Sequence, residues 1–486
     1  MPKQYFPVKM KDVGIVDRNL SKDQIHYQNI QEITDSYSSG EQTPTTITEH
    51  FLNRIEAFDS TYLSYATVMG NEALKQAELL SAEWSSGNIR GLLHGIPVAV
   101  KDLCYTKGIR TMGGTAVLEE NIPNYDATVV SKLRSAGAVI LGKLNLTEGA
   151  MGGYNPRRSV PKNPWDTNKW TGSSSSGSGV STAAGLCTGS LGSDTGGSIR
   201  FPSAACGLVG IKPTYGRVSR YGVLDLGETL DHVGPMTRDV RDAALILGCL
   251  SGFDSNDLTT FPVDPPNFTD IENGNLNGIT IGYSEVYSEE GVDEEIVKAV
   301  RHAADILTSQ GAIIKNIDLE GIDSFLPAWQ TICTAEALNA HSEFFPERSA
   351  EYGPWFRGWL DHGTSVSAQD YINASRERGL CNGRIREAFN GIDAMLSPTV
   401  IRPPHDVDDS ISYGPMDNRR GTSFQRFTVP FDYNGYPTVS VPAGLNRDGL
   451  PLSVQVSGHP LSEEILCRIA RTYEKNLNLT NFHPFD

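Results

Sequence analysis

The chain has 486 residues, of which 39% are hydrophobic and 20% charged, and it contains 48 glycines and 27 prolines. This composition is that of an ordinary globular protein and excludes a disordered or collagen-like chain. The 58 acidic residues outnumber the 41 basic ones and give a net charge of -17. Because binding to a nucleic-acid backbone requires clustered Lys and Arg, the charge argues against a nucleic-acid partner.

Cysteine usage and the amino terminus bear on the compartment. The seven cysteines are scattered and include no Cys-x-x-Cys pair, which is typical of reduced thiols rather than of disulfides or zinc ligands. Residues 1–17 lack the apolar stretch of a signal peptide, and no other window approaches the length of a membrane span. We therefore expect a cytoplasmic protein that does not associate with a membrane.

The hydrophobic pattern predicts helices and strands that alternate along the chain. Helices are predicted at 41–58, 71–84, 128–136, 240–250 and 293–310, and strands at 96–100, 138–141, 438–442 and 452–456. This alternation is typical of an α/β protein. The strand Ile96–Val100 ends at the charged pair Lys101-Asp102, which is unusual after a buried apolar run.

Between residues 170 and 214 the composition shifts to glycine, serine and alanine, with little charge. Taken alone, Gly172 to Gly179 would be interpreted as a flexible linker. The residues that follow contradict that interpretation, because Val180 to Leu186 is small and helical and Cys206 to Lys212 is an apolar strand. A linker is not embedded between packed elements, so we expect this segment to be structured.

This segment and its surroundings resemble the amidase signature family, which covers small-molecule amidases and the glutaminase subunit of tRNA-dependent amidotransferases. Four motifs resemble those of the family in order: His94-Gly-Ile-Pro-Val-Ala-Val-Lys-Asp-Leu103, Asn163-Pro-Trp-Asp166, Gly192-Ser-Asp-Thr-Gly-Gly-Ser-Ile-Arg200 and Gly207-Leu-Val-Gly-Ile-Lys-Pro-Thr-Tyr-Gly-Arg217. The resemblance implies a single α/β domain over residues 1–486, with a central mixed β-sheet covered by helices on both faces. Within it we expect a mainly helical part at 1–90, a signature core at 91–250 and a variable substrate-pocket region at 315–425.

The resemblance also implies which residues carry the chemistry. It makes Ser198 the nucleophile, Lys101 the base and Ser174, 24 residues before Ser198, the proton relay, with a cis peptide between Ser173 and Ser174. The chemistry is sound, because a serine hydroxyl attacks well only when a base removes its proton. Lysine acts as a base only when neutral, and burial favours its neutral form.

One departure from the family concerns the relay. The family usually reads Gly-Gly-Ser-Ser-Gly-Gly where this chain has Gly172-Ser-Ser-Ser-Ser-Gly177, so four adjacent serines, 173–176, are candidates for one role. The interval to Ser198 selects Ser174.

Residues beside the three catalytic candidates are expected to support them. The backbone of Thr195, Gly196 and Gly197 is the predicted oxyanion hole, since glycine lets N–H groups approach a carbonyl oxygen unobstructed. Ser175 is expected to orient the relay loop, and Asp194 and Arg200 to pair and hold the shape of the Ser198 loop.

Acyl specificity is only weakly encoded. Met151, Gly152, Gly153, Tyr154 and Gln425 are predicted to border the substrate. Seven aromatic residues between 325 and 359 favour core filling, with an apolar or aryl pocket as the alternative; they are Phe325, Trp329, Phe344, Phe345, Trp355, Phe356 and Trp359. No Gly-x-Ser-x-Gly elbow or His-based metal motif occurs, so neither a cofactor nor a metal is expected.

Two rival functions stay open beside a stand-alone amidase acting on a small-molecule amide, carbamate or ester as a monomer or homodimer. The first is the glutaminase subunit of an amidotransferase, whose pocket holds its amino acid with an arginine and an aspartate. Arg378 matches that arginine, but Gln425 stands where the aspartate is expected. The second rival is an inactive family fold that serves as a binding module.

Overall fold

The computed structural model describes residues 25–416, 423–477 and 482–484. The prediction about the amino terminus, residues 1–17, lies outside the described residues. The same holds for the start of the predicted helical part, 1–24, and for residues 417–422 of the predicted pocket region.

Strands of the described chain form one mixed sheet. They are β1 (Tyr65–Val68), β2 (Pro97–Lys101), β3 (Val139–Leu144), β4 (Gly189–Asp194), β5 (Val209–Lys212), β6 (His232–Thr237), β7 (Thr280–Tyr283), β8 (Ile313–Asn316), β9 (Ala394–Pro398), β10 (Thr438–Leu445) and β11 (Pro451–Gly458). Their order across the sheet is β1-β3-β2-β4-β6-β5-β10-β11-β9-β7-β8. Parallel pairs join β2 to β3 and β4, and β7 to β8 and β9, whereas the other neighbours are antiparallel.

Helices cover both faces of this sheet, so the predicted single α/β domain with a mixed sheet is confirmed. The helices are α1 (Ile30–Ser38), α2 (Pro44–Tyr62), α3 (Gly70–Ser85), α4 (Thr128–Ser135), α5 (Ser176–Ala183), α6 (Arg200–Cys206), α7 (Val240–Leu250), α8 (Glu285–Glu289), α9 (Glu294–Ser309), α10 (Pro327–Ala340), α11 (Pro354–Thr364), α12 (Ala368–Ala388), α13 (Asp409–Tyr413), α14 (Val429–Tyr433) and α15 (Glu463–Leu477). Among the described residues, no helix has both the length and the apolar character needed to cross a bilayer.

Local chemistry explains where several elements begin. Helix α2 starts at Pro44 behind Thr43, whose side chain accepts a hydrogen bond from the backbone N–H of Thr46. Asp239 caps α7 in the same way. Helix α5 differs from the expectation, because it begins at Ser176 rather than near Val180. Part of the serine-rich stretch therefore forms the first helical turn, where small side chains allow close packing.

The three strands β2, β3 and β4 lie side by side and are buried along their whole length. Helices cover both faces at this point, which explains why β2 and β3 read as continuous apolar runs rather than as alternating patterns. Since β2 and β4 are parallel neighbours, their carboxyl ends meet at one edge of the sheet. Lys101 ends β2, and Asp194 ends β4.

Candidate active site

Lys101 lies fully buried at the end of β2 and faces two hydroxyl groups. Its Nζ donates to the Oγ of Ser174 at 2.7 Å and to the Oγ of Ser193 at 2.9 Å. Asp102, its neighbour in the chain, forms an ion pair with Lys143 at 3.1 Å and not with Lys101. Lys101 is therefore directed at serines and not at a neutralising carboxylate.

The environment of Lys101 favours its neutral form. Burial lowers the pKa of Lys101 from its ordinary value to about 7, although the negative charges of Asp194 and Asp231 act to raise it. Near neutral pH a substantial fraction of this amine is thus unprotonated. That is the state in which a lysine is able to accept a proton.

The loop of residues 172–175, the Ser174 loop, connects Lys101 to Ser198. The peptide between Ser173 and Ser174 is cis. The backbone N–H of Ser175 donates to the carbonyl oxygen of Ser198 at 3.3 Å, and the Ser175 hydroxyl bonds to the backbone of Ser193 in β4. Ser174 therefore lies between the lysine at one end and the chain segment of Ser198 at the other.

Residues 195–199, the Ser198 loop, are held by a buried carboxylate. Asp194 accepts the backbone N–H groups of Gly197 at 2.6 Å and Ile199 at 2.9 Å, and it receives two guanidinium hydrogen bonds from Arg200 at 3.0 and 2.8 Å. Arg200 also donates to Asp432 at 2.7 Å. Burial acts to raise the pKa of Asp194, but the adjacent Arg200 charge outweighs it and holds that pKa well below its ordinary value.

The predicted oxyanion hole needs one correction. Because the N–H of Gly197 already donates to Asp194, it is not free for a substrate oxygen. Within the part of the chain that the structure describes, the N–H groups of Thr195, Gly196 and Ser198 donate to no protein acceptor. These three are the available donors, and the N–H of Ser198 was not predicted from the sequence.

Glycine is required at both positions in front of Ser198. Gly197 has a φ of +127°, and a Cβ there would lie 2.6 Å from the ring of Phe201. A Cβ on Gly196 would lie 2.7 Å from the ring of Trp329. The close approach of aromatic rings on both sides explains why no larger residue fits.

A second buried carboxylate, Asp231, contacts the Ser198 loop from the start of β6. It accepts a hydrogen bond from the Thr195 hydroxyl at 2.5 Å. It also accepts the backbone N–H groups of Leu226 at 2.9 Å and Gly227 at 3.1 Å.

Three tryptophans form an aromatic wall, Trp329, Trp355 and Trp359, beside these loops. Trp329 donates from Nε1 to the carbonyl oxygen of Thr195 at 2.8 Å. Its ring centroid lies 5.7 Å from that of Trp359, which lies 5.6 Å from that of Trp355. Of the predicted aromatic cluster, Trp329, Phe345, Phe356 and Trp359 are buried, so most of it fills the core, as expected.

The segment 151–154 meets the far end of the aromatic wall. A Cβ on Gly152 would lie 2.9 Å from the Trp355 ring, and one on Gly153 would lie 2.5 Å from its Cβ. Tyr154 points elsewhere, since its buried hydroxyl bonds to the Oγ of Ser176 in α5 at 2.8 Å. Glycines of this segment therefore stand against the wall, whereas Tyr154 is part of the packing behind it.

Gln425 is linked to the Ser198 loop through Thr428, whereas Arg378 bonds to other parts of the protein. The carbonyl oxygen of Gln425 accepts the N–H of Thr428 at 3.0 Å, and the Thr428 hydroxyl donates to the carbonyl of Gly196 at 2.7 Å. Arg378 is bound within the protein, because its guanidinium donates to the hydroxyl and carbonyl of Thr229 and to the carbonyl of Tyr433, at 2.8 to 2.9 Å.

The described part of the chain contains a cleft of about 620 Å³. One wall is the segment 220–225, and Gly149 lies on another. Residues that follow or precede these walls in the chain contact the site: Thr147 donates its N–H to the Ser174 carbonyl, and Leu226 and Gly227 donate theirs to Asp231. The remaining walls include Leu103, Tyr105, Tyr125 and Phe344.

Three polar residues of the site were not found from sequence. Ser193 contacts Lys101, Asp231 contacts Thr195, and Asp432 pairs with Arg200. Ser193 lies inside the Gly192–Arg200 motif. Its position in that motif, next to Asp194, could have identified it as a residue of the site. Asp432 interrupts the apolar run Val429–Tyr433, and a lone carboxylate in such a run indicates a buried charge partner.

Comparison with known proteins shows that this protein is an amide-hydrolysing enzyme. The family model described as Amidase matches residues 46–467. The chain therefore belongs to the amidase signature family.

Individual relatives cover nearly the whole chain. "Putative amidase AmiD" of Mycobacterium tuberculosis is 37% identical over 471 residues, 96% of this chain and 97% of that protein. One subunit of the glutamyl-tRNA(Gln) amidotransferase of Syntrophus aciditrophicus is 35% identical over 487 residues, 95% of this chain and 99% of that protein. Native peptide amidase from Stenotrophomonas maltophilia matches with a TM-score of 0.81 and 29% identity, over 93% of this chain and 97% of that chain.

Proposed function

We propose that this amidase cleaves its substrate through an acyl-enzyme, with Ser198 as nucleophile, Ser174 as proton relay and Lys101 as base. The observation that carries the proposal is the 2.7 Å hydrogen bond from a fully buried Lys101 to Ser174, next to the backbone contact between Ser175 and Ser198. Because the pKa of this lysine is lowered to about 7, a substantial fraction of it is neutral near neutral pH. In that state it can accept the proton of the Ser174 hydroxyl to which it is bonded.

The first half-reaction forms one ester bond and breaks one amide bond. The Ser198 Oγ attacks the amide carbon while its proton passes to Ser174, whose own proton moves to the neutral Nζ of Lys101. The N–H groups of Thr195, Gly196 and Ser198 stabilise the negative oxygen of the tetrahedral intermediate. Ser174 then returns the proton to the departing nitrogen, and the amine or ammonia leaves.

The second half-reaction repeats these transfers with water as the nucleophile. Water loses a proton through Ser174 to Lys101 and attacks the ester carbon of the acyl-enzyme. The proton returns to the Oγ of Ser198, and a carboxylic acid is released. Asp194, held by Arg200, keeps the shape of the Ser198 loop through both steps.

We propose a small apolar or aryl amide as the substrate, with carbamates and esters as further candidates. Trp355, the partly exposed ring of the aromatic wall, supports this choice, because it lies against Gly152 and Gly153. Flat apolar groups pack well on such rings. The seven free thiols support a cytoplasmic location.

A glutaminase that works with partner proteins is the second candidate, favoured by the similarity to the amidotransferase component of Syntrophus aciditrophicus. Two features count against it. Gln425 offers no negative charge to the amino group of glutamine, and three N–H groups of the Arg378 guanidinium are already bound to Thr229 and Tyr433. An inactive binding module would need no buried lysine aimed at two hydroxyls.

A fluorophosphonate probe tests the catalytic assignment. We expect peptide mapping to find the label on Ser198 alone, and Ser198→Ala to abolish labelling and amide hydrolysis. Ser159→Ala, which removes a serine outside the site, is the matched control and should behave as wild type. A label on another serine would overturn the proposal.

A substrate screen tests the specificity. The purified chain alone should hydrolyse aryl amides faster than aliphatic amides or glutamine. Glutamine hydrolysis that requires added amidotransferase partners would favour the second candidate instead.

A further inference from the structure

Asp231 accepts hydrogen bonds from two neighbouring loops. It lies at 8% exposure immediately before β6, 33 residues beyond Ser198 in the chain. One carboxylate oxygen accepts the Thr195 hydroxyl of the Ser198 loop, and the other accepts the backbone N–H groups of Leu226 and Gly227. The carboxylate therefore joins the predicted oxyanion hole to a segment that continues from the cleft wall.

The two loops touch at this point. A Cβ on Gly227 would lie 3.2 Å from the Cγ2 of Thr195, so the loops pack with no spare space between them. The strand pairing fixes Asp231 as well, since β4 and β6 are antiparallel and Asp194 stands opposite His232. The residues next to that pair, Thr195 and Asp231, are thereby brought together.

The charge of Asp231 also reaches the base. Burial lowers the pKa of Lys101, and the negative charges of Asp194 and Asp231 act in the opposite direction. Burial raises the pKa of Asp231 itself to about 6, with Asp225 adding to that effect and Arg220 opposing it. Asp231 is hence mostly ionised at neutral pH and weakly so in mild acid.

We infer that Asp231 is a positioning residue for the hydrolysis proposed above. It holds the N–H groups of the Ser198 loop in place through Thr195, and its negative charge favours proton acceptance by Lys101. This inference rests on the proposed function, because it assigns a role within that same reaction.

The first test compares Asp231→Asn, Thr195→Val and the double variant in turnover of an aryl amide. Asparagine has one acceptor oxygen, so it cannot serve Thr195 and the two backbone N–H groups together. We expect each single variant to lower kcat by about ten- to hundredfold, with KM changed less than threefold. The double variant should be no worse than the poorer single one, since both remove the same link.

Thr195→Ser provides the rescue, because it keeps the hydroxyl, and it should retain at least a third of wild-type kcat. Asp448→Asn removes an exposed carboxylate in the β10–β11 turn and controls for the loss of one charge. All rates are divided by the fraction of chains that a fluorophosphonate labels, so a loss of folded protein does not appear as a loss of kcat.

The second test is the pH profile of kcat/KM. Removing the Asp231 charge lowers the pKa of Lys101, so Lys101 becomes neutral at lower pH. The acidic limb of the Asp231→Asn profile should therefore shift to lower pH, whereas that of Asp448→Asn should stay. If the role of Asp231 were purely structural, the acidic limb of the Asp231→Asn profile would stay where it is in wild type.

The outcomes separate this inference from the proposed function. If wild type is not labelled at Ser198, both fail. If wild type is labelled and active, but Asp231→Asn keeps its kcat and its pH profile, only the role of Asp231 is overturned. Additive losses in the double variant would likewise overturn the link through Thr195.

Discussion

Two regions meet at the active site and are built on opposite principles. In the segment 172–200 buried polar groups bond to one another, so that Ser175, Asp194 and Arg200 are each tied to a neighbouring backbone or charge. The aromatic wall of Trp329, Trp355 and Trp359 instead makes its contacts mainly through ring faces and edges. Polar networks tolerate little change because an unsatisfied buried group is costly, whereas apolar packing loses stability in small steps. Changes in the first region should therefore abolish activity, and changes in the second should adjust it.

Lys101→Met should produce the largest effect. The substitution fills similar space but removes the base, and we expect kcat/KM to fall by roughly 10⁴-fold. In wild type, kcat/KM should rise with pH through about 7, because the pKa of Lys101 is lowered to that value and only the neutral amine accepts a proton. Steady-state kinetics over this pH range measure both. Lys75→Met, on the surface of α3, should change neither, and a Lys101→Met variant within tenfold of wild type would contradict the assignment.

Gly196→Ala tests the backbone of the same region. The added Cβ would lie 2.7 Å from Trp329, so the Ser198 loop or the ring must move. Displacing an oxyanion donor typically costs roughly 10² to 10³ in rate, and we expect kcat to fall by that factor. Gly274→Ala is the control, since its Cβ would meet no atom within 4 Å. Equal kcat values for the two variants would show that the loop tolerates displacement.

Trp329→Phe tests the point where the two regions join. It keeps a ring in place but removes the hydrogen bond to the carbonyl of Thr195. The net worth of such a bond is about 1 kcal/mol, so kcat should fall about fivefold. Trp84→Phe, in α3, controls for a general loss of packing and should leave kcat unchanged.

Trp355→Leu, at the far end of the aromatic wall, should have the smallest effect on kcat. Losing the stacking surface costs about 0.5–1.5 kcal/mol of binding, which raises KM for an aryl amide about two- to tenfold. We expect kcat to stay within twofold, and KM for a short aliphatic amide to be unchanged. An equal rise in KM for both substrates would place the wall outside the substrate pocket.

Sequence predicted the elements better than their contacts. The helix at 240–250 and the strand leading to Lys101 were found because each combines a hydrophobic period with a clear end signal. The start of α5 was missed, because serine and glycine carry no hydrophobic period. In the site, linear motifs pointed to Lys101 and Ser198.

The contacts of Asp231 could not be predicted in this way. It reaches Thr195 only because β4 pairs with β6 across 36 residues of chain. Strand pairing over such a distance leaves no local pattern in the sequence. The hydrogen bond from the Gly197 N–H to Asp194 could not be predicted either, because it depends on the turn that the backbone makes after β4.

Burying an amine to make it a base also affects the stability of the whole protein. Unfolding returns Lys101 to water, where its pKa is close to the ordinary 10.5, against about 7 in the fold. Between these two values the unfolded chain binds the extra proton, so the contribution of Lys101 to the free energy of unfolding grows as the solution becomes more alkaline. Below pH 7 the amine is protonated in both the folded and the unfolded state. Burying this charge then lowers the free energy of unfolding, which a methionine at the same position would not do. Urea denaturation should accordingly find Lys101→Met more stable than wild type in mild acid, by a margin that shrinks as alkali is added.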